Sequence, residues 1–167
     1  VRVFDTNQVG ALTTAQAKVL TTSQVAAIST TAIDGLTTDQ AGVLTSAQAA
    51  ALTTAQASQL DTDLIAALTT AAVAGITTAG VRVFDTNQVG AITTTQVGAL
   101  TTSQVAAIST SSVSGILTTQ VAVLSSAQVA AVTTAQVAVL SSTQIPSLTT
   151  AALAGLTTAG ARVLNTT

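Results

Sequence analysis

A large aliphatic or aromatic residue falls at every eighth position from Phe4 to Leu164, with no insertion anywhere between them. With that residue as position 1 of an octad, position 2 is Thr, Ser, Asp or Asn in every unit except one, where Leu117 stands, and position 3 is always Thr or Ser. Position 5 is usually Gln, as at Gln16, Gln24, Gln104 and Gln136. Position 6 is Val, Ile, Leu or Ala, and position 8 is mostly Ala, Val or Gly. Polar and charged variety collects at position 4, with Asp39 and Asp63, and at position 7, with Lys18, Asp34, Arg82 and Arg162, so these two columns are expected to face solvent. An unbroken period over this length is the mark of a solenoid, in which each unit buries its apolar face only against its neighbours.

The columns predict an all-α solenoid of very short capped helices, one per octad. Thr, Ser, Asp and Asn at position 2 are the residues whose side-chain oxygen accepts a hydrogen bond from a free amide of a first helical turn. Gln at position 5 is then N3 and completes a capping box, while positions 1 and 6 become N′ and N4, the pair that forms a hydrophobic staple. Such a helix of about six residues, roughly 9 Å long, is too short to be stable alone. Stacking must supply the stability, with positions 6 and the following 1 sharing one face. The abundance of Ala, Leu and Gln favours helix over strand.

The alternative is a β-solenoid in which the Thr-Thr pairs form ladders along the stack. The constant hydroxyl at position 3 fits it, since N1 of a helix has no strong need for one. Pro146 at position 7 also sits awkwardly in a short helix, where it removes a backbone donor. The Gln column has no reason to follow the cap residue by three in a strand, and the helical reading is preferred.

Longer periods overlie the octad. Every fifth unit loses its Gln and carries Gly at position 8, at Gly35, Gly75, Gly115 and Gly155, which suggests five octads to a structural turn or pseudo-repeat. VRVFDTNQVGA at Val1 recurs at Val81, and ARVLNTT opens a third copy at Ala161. One continuous solenoid is therefore expected, with a ten-octad block over residues 1–80, a second over 81–160, and the start of a third over 161–167. The chain begins without methionine and opens and closes within a unit, as expected of a piece of a longer protein.

Composition narrows the chemistry. Charged residues make up 6% of the 167 positions, and His, Cys, Met, Trp, Tyr and Glu are absent. General acid–base and nucleophilic catalysis lean on side chains this chain lacks; no enzyme activity, catalytic residue, cofactor or metal is expected. Four cations and a net charge of −2 cannot build a phosphate-binding face, so no nucleic acid is expected. Ser and Thr pairs interrupt every apolar run, which argues against a membrane span.

The candidate sites have plainer readings. Asp61 and Asp63 resemble half of an acidic calcium loop, but no convergent oxygens or glycine turn follow, and they occupy a cap column and a surface column. Arg82 and Asp85, repeated as Arg2 and Asp5, could form a surface ion pair of little energy. The third copy has Arg162 and Asn165, which retains capping ability without charge, so capping explains the column better. Gly80 and Gly160 replace Gln before each block junction and suggest an altered turn there. Asn165-Thr166-Thr167 fits a glycosylation acceptor pattern.

Phrases such as VTTAQVAVL (Val132 to Leu140) and LTTSQVAAI (Leu100 to Ile108) resemble the Thr/Ala/Gln-rich repeat regions of very large bacterial secreted or cell-surface proteins, including adhesins and fibre-forming proteins. The resemblance implies export, surface display and a spacer, adhesive or filament role, and carries no catalytic residue. The expectation is a structural segment of an extracellular bacterial protein, a rod that self-associates end to end or laterally, because a neutral surface offers little charge repulsion. The alternative is contact with an ordered surface, ice or polysaccharide, through arrays of position-3 threonines such as Thr14, Thr22 and Thr102.

Overall fold

The computed structural model describes residues 4–164. Over that range the chain forms eighteen short α-helices and two 3-10 helices, Val113–Gly115 and Ile145–Ser147, one element per octad and no strand. The helical solenoid predicted from the octad is the fold, and the β alternative is not formed. The reason is local. In the octad Leu100 to Ala107, Leu100 (φ −59°, ψ 134°) and Thr101 (φ −69°, ψ 156°) are extended, and Thr102–Ala107 is helix. The Thr101 hydroxyl accepts the Gln104 amide at 3.2 Å and Gln104 Oε1 accepts the Thr101 amide at 2.8 Å, closing a capping box. Helices elsewhere run four to seven residues, and the straightening at positions 1 and 2 in this octad returns the chain for the next unit.

No residue among those described has a left-handed φ. Some helices pass directly into position 1, as at Leu20, Leu68 and Leu100, and others close through a right-handed residue at position 7 or 8, as at Ala11, Ser58 and Ala138, so no left-handed glycine ends them. Pro146 is accommodated because its octad ends in the 3-10 helix Ile145–Ser147, with the proline in its first turn where its missing donor costs nothing.

Each helix packs on the one three octads away: Thr6–Gly10 on Thr30–Ile33, Ser46–Ala50 on Thr70–Gly75, Thr78–Arg82 on Thr102–Ala107. Position 6 is buried along nearly all of the stack, as at Val9, Val25, Val73 and Val129, and position 1 is buried through its middle, from Leu44 to Ile108. From Val9 to Val113 these two columns form one apolar core. At about 25 cal/mol per Å² of apolar surface, this stacking is the main driving force for units that cannot fold singly.

Candidate functional site

The most elaborate chemistry in the molecule belongs to the glutamines. Position 5 was expected to serve only its own helix, yet from Gln40 onward its side chain is buried, Gln104 being 2% exposed. While Oε1 closes the capping box, Nε2 points to the previous coil and donates to two main-chain carbonyls. Gln104 reaches Val73 O at 2.8 Å and Ile76 O at 2.7 Å. Gln56 does the same to Val25 and Ile28, Gln96 to Ile65 and Leu68, and Gln136 to Val105 and Ile108. The acceptors lie at positions 6 and 1, at the C-terminal end of a helix; the position-6 carbonyl also accepts the amide of the next position 1, as Val73 O does from Ile76 at 3.2 Å, and the glutamine adds a second donor there. One side chain therefore caps the start of its own helix and the end of a helix one coil earlier.

The bonds reach 31 and 28 residues back, while helices pack three octads apart. A coil therefore takes between three and four octads, and the five-octad turn suggested by the glycine period is corrected. That period has another origin. In the octads concerned, position 5 is Ala32, Ala72, Ser112 or Ala152, so no amide separates the coils and the backbones close in. A Cβ on Gly75 would lie 2.4 Å from Ser46 O, and one on Gly35 2.1 Å from Thr6 O. Small residues at both positions are one device for close approach. Ser112 keeps a shorter version of the link, its hydroxyl donating to Phe84 O at 2.7 Å.

Gly80 and Gly160 do not form altered turns. They lie inside the helices Thr78–Arg82 and Thr158–Leu164. Their amides donate to the capping hydroxyls of Thr77 and Thr157, each at 3.1 Å, and a Cβ would meet Ile76 or Leu156 at 2.9 Å.

Asp5 and Asp85 accept the amides of Gln8 and Gln88 at 2.9 and 2.8 Å, the capping role expected of that column. Asp61 stands at the N-cap of Thr62–Ala67 but makes no cap bond with its side chain, and Asp63 follows it exposed in the first turn. Among the described residues no three acidic side chains gather in a metal-binding group. Arg2 and Asn165-Thr166-Thr167 lie outside the described residues. The position-3 hydroxyls sit exposed at N1, with Thr6 and Thr86 donating to the carbonyls of Thr31 and Ser111. No described helix is long and apolar enough to cross a membrane.

An apolar void of about 60 Å³ lies in the core of the second block, lined by Val97, Val105, Val113, Val121, Val129 and Leu148 among others. A cavity this apolar stays dry.

A coil of capped octads joined by buried glutamines defines an all-α repeat solenoid. The family model of the ALTTAQ repeat matches residues 22–54, 65–102 and 113–150, and the chain belongs to that repeat family. No curated protein and no solved structure matches it.

Proposed function

We propose that this chain is a structural segment of an extracellular bacterial protein, a stiff rod that spaces or assembles other parts into a filament, surface layer or adhesin stalk. The observation that carries the reading is the glutamine ladder: wherever Gln fills position 5 from Gln40 to Gln144, coils are tied by pairs of hydrogen bonds at fixed separations, with the column interrupted at Leu64, Ala72, Gly80 and Ser112. Such links resist sliding of one coil on another, which apolar contact alone tolerates, because a slipped register leaves a buried amide without acceptors at a cost of about 1–3 kcal/mol each. The outer surface, neutral hydroxyls and small side chains with few charges, presents little to repel a like surface.

Small-angle scattering on arrays of two, three and four 80-residue blocks tests it. The maximum dimension is expected to grow in proportion to block number with constant cross-section. Growth with the cube root of mass, as for a globule, overturns the rod.

A further inference from the structure

Resting on that reading, we infer that the rod carries a built-in hinge, the seam at which the helices of residues 62–82 lie on those of residues 38–57. The glutamine column is empty there through three successive octads, at Leu64, Ala72 and Gly80. Helices pack three octads apart, so the gap takes in a whole row of contacts: Thr62–Ala67 on Thr38–Ala41, Thr70–Gly75 on Ser46–Ala50, and Thr78–Arg82 on Thr54–Ala57. Between residues 33–57 and residues 62–82 no hydrogen bond is made. The following coil is tied back differently, with Gln88, Gln96 and Gln104 each donating to two carbonyls.

Apolar burial holds the unlinked seam, through Leu64, Ile65 and Val73 on one side and Leu44, Ala49 and Leu52 on the other. Such attraction is non-directional. Tilting one coil on the other therefore strands no buried amide here, whereas at a ladder seam it strips pairs of hydrogen bonds. Gly75 supplies a fulcrum at the middle of the seam, where the backbones touch so closely that a Cβ would lie 2.4 Å from Ser46 O. The covalent connection is loose at the same place. Asp61, the N-cap of Thr62–Ala67, makes no side-chain cap bond, and Leu64 at N3 has no group to return one, so this helix starts with neither half of a capping box. Missing rungs and a missing cap thus coincide. Eighty residues on, Gln144 restores one rung by donating to Val113 and Ile116 at 2.9 and 2.7 Å, while Ala152 and Gly160 leave the other two open. The rod is stiff along its ladders and compliant where they stop.

Spin labels test the hinge, because the chain has no cysteine of its own. Ala47, Ala71, Thr95 and Thr119 are all exposed at position 4. Ala47→Cys with Thr95→Cys spans the unlinked seam and one ladder seam; Ala71→Cys with Thr119→Cys, at the same separation in sequence, spans two ladder seams. Double electron–electron resonance should give a broader distance distribution for the first pair. Leu64→Gln should narrow it towards the second, since Gln144 shows that the column accepts glutamine in the same setting. Gln96→Leu should broaden the second pair, which keeps the test intact if the Leu64 variant loses its helical circular dichroism.

Equal widths for the two pairs in the parent overturn the hinge. So does a width that Leu64→Gln leaves unchanged in a folded chain, or a second pair that Gln96→Leu leaves as narrow as before. Any of these leaves the rod standing if scattering still shows length proportional to block number, and a globular scattering profile removes the rod while the paired widths still decide the seam.

Discussion

Gln24 and Gln104 carry the same side chain in the same motif, and the environment alone makes their roles unequal. Gln24 is exposed in the first coil, whereas Gln104 holds two carbonyls of the preceding coil from a buried position. Gln104→Glu places a carboxylate against those carbonyls and is expected to lower unfolding free energy by more than about 2 kcal/mol. Gln24→Glu keeps its capping box in water and should stay within about 0.5 kcal/mol of the parent. Urea denaturation of the two variants measures the difference, and equal losses would mean that Nε2 contributes nothing to the stack. The capping half of this role was legible in the sequence, because Thr followed three residues later by Gln has a specific local geometry. The inter-coil half was not, because nothing local marks an acceptor 28 or 31 residues away. A signal existed in the complete absence of Glu: an exposed capping box accepts Glu or Gln alike, so exclusive use of Gln implies that the amide donor is needed.

At the scale of the element, a helix of four to seven residues has few internal hydrogen bonds, and its first turn decides whether it forms. Thr101 and Asp61 occupy the same column, yet only Thr101 makes a side-chain cap bond. Thr101→Ala is expected to cost about 1 kcal/mol and Asp61→Ala no more than about 0.5 kcal/mol, read from thermal or urea midpoints of each variant. A larger loss at Asp61 would show that the column acts through something other than capping. Helix starts could be read because capping chemistry is specific to residue type. Helix ends could not, since the chain leaves a helix either by straightening at an ordinary Leu or Ile such as Leu100 or Ile108 or through a right-handed Ala such as Ala11 or Ala138, with no left-handed glycine to mark the place. The glycines that do recur mark contacts between coils, as Gly75 does against Ser46, so their forty-residue spacing is a period of close approach and not of the turn.

For the whole molecule, the octad revealed a solenoid but not its pitch, because the number of units per coil depends on how helices three octads apart settle on one another, a property of packing and not of any eight residues. Once the ladder is known, cooperativity follows. The seam between blocks, made by Gln88, Gln96 and Gln104, has the same bonding as joints within the second block made by Gln128 and Gln136. The ladder is interrupted where Leu64, Ala72 and Gly80 fill the glutamine column, but the seam between blocks is as well bonded as the joints within the second block, and the stack behaves as nearest-neighbour units. Arrays of two, three and four blocks should therefore unfold in urea with free energies that rise by a constant increment per block and slopes that rise with the surface exposed. An added block that melts in a separate transition at its own midpoint would show that the seam does not couple blocks.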